Sequence, residues 1–286
     1  MTHVCLPDQV AIAPARGAPA GVIIRRVPFD APWAWLAAGW NDLWRVPHVS
    51  LVYGAVFALV AAGLFVGLAL ARWQSLVPVL AGGFMLIGPL LAVGLYEASR
   101  RLEAGLPVTM SDVVGAGLRA EGQLAFFGIG LLVIFLVWLE LAFVLLVLFL
   151  GGAGLPPPSE FIGRLLFTTS GLGLLIIGSL VGGVLAATVY TISVVSVPLL
   201  LVHRIDAVSA AAASARAVYL NPKPMLLWAG LIGGFIALGC ATLFVGLILL
   251  FPLIGHATWH AFRAIAVVDG QDPRDARIGG PLPAAE

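Results

Sequence analysis

An all-α fold embedded in a membrane, with six transmembrane helices grouped as three repeats of an interfacial elbow helix plus a helical hairpin, is the architecture this chain predicts. Three observations lead there. The 286 residues are 61% hydrophobic and only 10% charged, whereas a soluble domain averages roughly 45–50% and ~25%. A chain that cannot place polar residues around its perimeter has lipid around it. The apolar residues also fall in runs that meet the ~20 residues a bilayer core takes per helix. Finally, two distant segments share one plan. Gly88-Pro89 through Arg100 and Phe251-Pro252 through Arg263 each run proline, two aliphatics, small residues, an aromatic, a titratable residue, then arginine.

The first 28 residues are rich in proline and small residues and lack the apolar core of a signal peptide. They read as a flexible cytoplasmic tail, as does 269–286, which leaves a membrane domain over 29–268. The first elbow, about 30–46, starts at Asp30, a residue suited to cap a helix, with Pro32 tolerated in the first turn. Trp33, Leu36, Trp40 and Leu43 share one face at helical spacing. Trp33, Trp40, Trp44 and, beyond the first span, Trp73 are the candidate interface anchors, because an indole is apolar yet keeps an N–H for water or headgroups.

Ser50 to Ala71 is the first crossing and Leu76 to Tyr96 the second, joined by Arg72-Trp73-Gln74-Ser75 as a tight hairpin. The second elbow, about 109–121, opens with Thr109 and Asp112 at capping-box spacing. Leu124 to Leu150 is the third crossing, followed by a Gly/Pro-rich loop. Leu165 to Val202 carries no charge and is nearly twice a crossing in length. It reads as one tilted helix that projects past the membrane, bent at Gly178 or at Gly182-Gly183. The third elbow, about 206–220, leads into Met225 to Ala261, which holds two short crossings that turn near Gly239-Cys240-Ala241-Thr242. Of the fifteen Lys and Arg, only Arg72 and Arg164 fall on the odd-loop side. The positive-inside rule then places both termini in the cytoplasm.

The motif residues Trp40-Asn41-Asp42-Leu43, Pro47, Ser50-Leu51, Tyr53-Gly54, Gly88-Pro89, Gly94-Leu95-Tyr96-Glu97 and Gly255-His256-Ala257-Thr258-Trp259-His260 together resemble the DUF2189 family of bacterial integral membrane proteins, over roughly residues 33 to 266. The resemblance implies a multi-pass membrane protein and brings no activity with it.

Two places carry candidate chemistry. His256 and His260 sit four residues apart on one helical face, a spacing that can present two imidazoles to one metal, with Glu97 as the carboxylate that could join them. The preferred reading of these three is an interfacial polar cluster in which the imidazoles bond backbone or elbow groups. Glu140 is the one charged residue well inside a predicted span. An unpaired carboxylate at that depth costs about 2.5–3.5 kcal/mol, so it is protonated, paired or hydrated. It serves either as a proton or cation site, or as a packing lock bonded to Thr188, Thr191 or Ser193 or lying in a dimer contact. Gly63/Gly67, Gly178/Gly182 and Gly230/Gly234 have GxxxG spacing and read as helix-packing positions.

The net charge of +1 points to no nucleic-acid partner. Cys5 and Cys240 have no paired spacing. No serine–histidine–aspartate motif or phosphate loop is present, so an enzyme is not the expected reading, and no cofactor is expected. The partner is the lipid bilayer, together with a second copy or another membrane protein. In order of preference, the functional readings are a non-enzymatic membrane component or partner-binding subunit, a carrier or channel for a small or amphipathic solute using Glu140, and a metal- or haem-binding redox protein.

Overall fold

The computed structural model describes residues 21–73, 76–119, 122–151 and 158–268. Strand β1 (Val22–Ile24) leads to helix α1 (Ala31–Arg45), α2 (Pro47–Leu70), α3 (Val77–Leu91) and α4 (Val93–Glu103). Then follow α5 (Met110–Arg119), α6 (Gly122–Leu150), α7 (Pro158–Phe167), α8 (Thr169–Ser193) and α9 (Ser196–Val202). The chain closes with α10 (Ala207–Leu220), α11 (Pro222–Ala241), α12 (Leu247–Ile265) and strand β2 (Ala266–Val268). Five stretches are long and apolar enough to cross a membrane: Pro47–Leu70, Val77–Glu103, Gly122–Leu150, Thr169–Val202 and Pro222–Ala241. Most of their residues lie outside the protein core, so lipid covers the remainder. Helix α12, expected as a sixth crossing, is not among the five; its second half carries His256, Thr258, His260 and Arg263, and most of its residues are buried by other helices.

The buried and exposed faces of helix α1 are set differently from the expected ones. Pro32, Trp35, Gly39, Asp42 and Leu43 are buried, while Trp33, Trp40 and Trp44 point outward, as does Trp73. Leu43 therefore turns inward, away from the tryptophan face on which its spacing placed it. Asp30 stands at the N-cap without making a side-chain cap bond. The second elbow does form its capping box: the Thr109 N–H donates to Asp112 and the Asp112 N–H to Thr109 Oγ1, both at 3.2 Å. In the third, Asp206 accepts from the Ser209 N–H at 2.8 Å.

The run from Leu165 to Val202 is not one helix. Its first residues belong to α7, and α8 starts afresh at Thr169, capped by Thr168 Oγ1 accepting from the Gly171 N–H. The bend lies at Val194–Val195, not at Gly178 or Gly182-Gly183. Pro198 has no N–H to give the carbonyl four residues back, and its ring crowds that carbonyl. The glycines, still supplied with N–H groups, stay helical. The turn after α11 falls where expected, and Leu243 and Phe244 take positive φ there.

Helix α12 is the axis of one end of the molecule, packed against α1, α2, α4 and α11. Close approach is made possible by missing side chains. A Cβ on Gly39 would lie 2.6 Å from the Ala257 nitrogen, and one on Gly54 would overlap the Ile248 carbonyl oxygen. The GxxxG pairs do not carry this packing. A Cβ on Gly63, Gly67, Gly230 or Gly234 would meet nothing within 4 Å, and only Gly182 of the six faces another helix closely, under the Trp138 ring. Spacing places two gaps on one face of a helix, and the tertiary arrangement decides whether a neighbour uses them. Beside α12, the rings of Tyr53, Phe57, Phe84 and Phe251 form an aromatic cluster joining α2, α3 and α12.

The two ends of the described chain meet. β1 and β2 pair antiparallel, Val22 opposite Val268 and Ile24 opposite Ala266. The flexible tail expected to reach residue 28 is therefore ordered from the strand onward. Buried Asn221 holds this segment, accepting from the Val27 N–H at 2.8 Å and donating to the Arg25 carbonyl at 3.0 Å. Residues 1–20 and 269–286, the rest of the two expected tails, lie outside the described residues, as do Ala120 and Glu121 at the end of the second elbow.

Candidate functional site

At the polar end of α12, five side chains from four helices form one continuous hydrogen-bonded line. Ser50 of α2 lies 2.9 Å from His256 Nε2, and Ser99 of α4 lies 2.8 Å from His256 Nδ1. Ser99 also donates to Asp42 Oδ2 of α1 at 2.8 Å, and His260 Nε2 contacts the same oxygen at 2.7 Å. Donor accounting orders the line. The Ser99 hydroxyl proton is committed to Asp42, so Ser99 Oγ accepts from His256 Nδ1–H. Uncharged His256 then takes the Ser50 proton on Nε2. Ser50, Ser99 and His256 have no exposure and Asp42 only 4%, and at that depth every polar group needs a partner.

Burial by itself would push the Asp42 carboxyl up, but the hydrogen bonds from His260 and Ser99, with the field of His260, outweigh it. The group sits below its ordinary value of 3.8. Ser50 beside His256 has the elements of an activated nucleophile, yet no member of the line borders the 540, 440 or 170 Å³ cavities. With its hydroxyl sealed among side chains, Ser50 offers no place for a reacting atom. The arrangement clamps α1, α2 and α4 onto α12.

Glu97, expected beside the histidines, is occupied elsewhere. It accepts two bonds from Arg100, at 2.6 and 2.7 Å, and lies 3.7 Å from Arg101, which reaches Asp112 of α5 at 3.2 Å. The carboxylate that joins the histidines is Asp42. Glu103 extends the tie to α12, accepting from Trp259 Nε1 and from Arg263, each at 3.1 Å. Among the described residues, no group of three or more His, Cys, Asp and Glu is arranged to hold a metal ion. Cys240 is a free, half-buried thiol; Cys5 lies outside the described residues.

Glu140 stands apart from all of this. It is exposed on the outer side of α6, flanked by exposed Leu136, Val137, Leu141 and Val144. It lines none of the three cavities, and among the described residues it has no hydrogen bond or ion pair. The expected lock to α8 is not made. The Thr188 hydroxyl donates back to the Val184 carbonyl, and Ser193 Oγ has no partner among the described residues.

The middle of the chain, from α3 through α9, is similar to a known family. Residues 76–202 match DUF2189, predicted integral membrane protein. Glu97, Ser99 and Glu140 lie inside the DUF2189 match, whereas Asp42, Ser50, His256 and His260 lie outside it, within the wider range over which the motifs resemble the family. No curated protein and no solved structure matches the chain.

Asp42, Ser50 and Ser99 are site members that residue-by-residue reasoning passed over. A signal for Asp42 was present: it lies three residues after Gly39 and seven after Trp35, on the buried face of α1. Ser50 and Ser99 carry no such mark, since a serine in an apolar helix usually bonds its own backbone.

Proposed function

We propose that the chain is a non-enzymatic component of the bacterial inner membrane that works as a self-associating, partner-binding subunit through the outer face of α6. The observation that carries this reading is Glu140, placed mid-span on an exposed apolar surface with no partner among the described residues. A carboxyl left against lipid there costs about 2.5–3.5 kcal/mol, a cost removed when a second helix supplies a hydrogen-bonding group.

A second copy meets the requirement. Phe126, Gly130, Val133, Val137, Glu140, Val144 and Val147 alternate spacings of four and three, and all are exposed. That is a heptad seam, small or β-branched from Gly130 to Val147 apart from one polar position, Glu140. Two copies inserted in the same direction carry Glu140 at the same depth. A two-fold axis along the membrane normal then sets the carboxyls against each other, protonated and mutually bonded. We further assign six crossings, with α12 as the sixth, built as three elbow-plus-hairpin units with both termini cytoplasmic. Supporting this, Arg45, Arg100, Arg101, Arg204, Arg216, Lys223 and Arg263 fall at one set of helix ends, and Arg72 and Arg164 at the other.

Disulfide trapping in membranes tests the seam. In a background with Cys5 and Cys240 changed to Ser, V137C and V144C give cross-linked dimers and L132C, off the seam, does not. Glu140→Leu abolishes the cross-link while Glu140→Gln, still able to pair with itself, retains it. Equal trapping at 132 and 137, or a wild-type protein that is monomeric by single-molecule photobleaching in bilayers, would overturn the reading. The carrier reading that relied on Glu140 loses its path, because that carboxyl borders none of the cavities.

A further inference from the structure

Between α3, α8, α11 and α12 lies a cavity of 540 Å³, within the range of small-molecule sites. From the structure we infer that it binds an uncharged lipid: a long apolar chain ending in a carbonyl or hydroxyl head. This rests on observations separate from the α6 seam.

The wall of the cavity is apolar along most of its length and bears no Asp, Glu, Lys, Arg or His. A carboxylate or phosphate head inside would be a buried charge without compensation, so the occupant is neutral. From Phe84 to Tyr96 the wall extends roughly 18 Å at 1.5 Å per residue, a slot matched to a chain, not to a compact solute. Exposed Met85 and Leu226 stand at its rim, so entry is from the side, out of the bilayer.

The polar side chains on the wall are Tyr96, Tyr190, Thr191, Ser193 and Thr258, and the Tyr190 hydroxyl is already given to the Met225 carbonyl at 2.7 Å. Ser193, Tyr96 and Thr258 all line the cavity and are all buried. Ser193 is 1% exposed, and its Oγ has no hydrogen-bond partner among the described residues. A helical serine ordinarily returns its proton to the carbonyl one turn back. One that does not, at this burial, stays unsatisfied until something else accepts its proton. The Thr258 proton is already given to the Ile254 carbonyl at 2.7 Å and its oxygen accepts from the Tyr96 hydroxyl, which leaves the second lone pair of Thr258 Oγ1 as an acceptor. The same wall thus offers an oxygen-bearing head one donor, from Ser193, and one acceptor, at Thr258. A carbonyl takes the Ser193 proton, and a hydroxyl does so while donating to Thr258. The other buried orphan, Trp228 Nε1, is not on this wall; its ring packs edge-on against Trp35.

Two lipid sources share this chemistry, acylglycerols and isoprenoid alcohols or ketones, and photolabelling distinguishes them. The full-length protein in nanodiscs is exposed to diazirine-bearing monoacylglycerol, diazirine-bearing prenyl alcohol or diazirine-bearing palmitate. Labelled peptides are then mapped. The expected result is saturable labelling of the segments around Ser193 and Met225 by at least one neutral probe, with palmitate at least ten-fold weaker. The preferred neutral probe names the source. Ser193→Ala lowers the labelling about five-fold or more without lowering the thermal midpoint, because the variant no longer buries an orphan hydroxyl. Ala186→Trp, which fills the slot, removes it, and Glu140→Leu leaves it unchanged. Non-saturable labelling, palmitate labelling equal to the neutral probes, or undiminished labelling of Ser193→Ala would overturn the proposal and reduce the cavity to a crevice filled by bulk acyl chains.

Discussion

Removing the Asp42 side chain is the sharpest test of how α12 is held. Asp42 Oδ2 accepts from Ser99 at 2.8 Å and from His260 at 2.7 Å. In Asp42→Ala the Ser99 hydroxyl, with no exposure, loses its acceptor and bears the full cost of an unmet buried donor, about 1–3 kcal/mol. The His260 side chain, 26% exposed, recovers part of its loss from water. A total near 3 kcal/mol follows, at the low end for breaking a buried charged pair. Asp42→Asn keeps an acceptor but loses the charge assistance, and costs about 1–2 kcal/mol. Equilibrium unfolding in mixed micelles, read by tryptophan fluorescence, gives both numbers. The same measurement against pH separates electrostatics from packing. Folding holds the Asp42 carboxyl below its ordinary 3.8, so the unfolded chain takes up the proton first. Its stabilisation is complete above that value and drains away as the pH falls through it toward the folded-state value. Wild type should lose stability between pH 5 and pH 3 faster than Asp42→Asn. An Asp42→Ala protein within about 0.5 kcal/mol of wild type, the range of an ordinary surface change, would refute the clamp.

The remaining expectations follow from packing and from backbone pairing. Gly54→Ala drives a methyl into the Ile248 carbonyl oxygen and should destabilise by about 1–3 kcal/mol, whereas Gly63→Ala, with open space around it, should be neutral in the same unfolding assay. Asn221→Ala strips the partners from Val27 N–H and the Arg25 carbonyl. Limited trypsin digestion should then cut at Arg25 or Arg26 at least ten-fold faster while the rest of the chain stays resistant. Trp138→Phe deletes the 2.7 Å bond to the Val79 carbonyl, at a cost of about 1 kcal/mol by the same titration.

The membrane character, the long helices and the short helix before each of α2, α6 and α11 were legible because they depend on composition and on local chemistry. Apolar run length, capping spacings such as Thr109–Asp112, and prolines at helix starts act within a few residues. What the residues did not disclose depends on which surfaces meet. The GxxxG pairs looked like contact points, and Gly39 and Gly54 are the ones used, because α12 crosses there. Glu97 stood at the right distance from a helix end to join the histidines, yet Arg100 and Arg101, one turn away on its own helix, claim it first. Asp42 reaches His260 across 218 positions of sequence, a distance over which spacing rules carry no information. Gly178 and Gly182-Gly183 read as the place of the bend because glycine permits bending, whereas Pro198 enforces one at Val194–Val195.

The location of the clamp has a consequence for how the protein is made. Asp42, Ser50 and Ser99 are synthesised early, and their partner helix α12 late. Until it arrives, these three polar side chains must find other partners, and α1 lacks the helix it packs against most closely. Early helices are thus held in a provisional state that the last helix converts into a closed one, helped by the pairing of β1 with β2. A chain interrupted after α11 would carry all five stretches that, among the described residues, are apolar enough to cross, and yet display the unpaired groups of Asp42, Ser50 and Ser99. Such a display is what membrane quality-control proteases can recognise. Turnover of a fragment ending at residue 246, compared with the full chain, would measure how much of the protein's lifetime depends on its final helix.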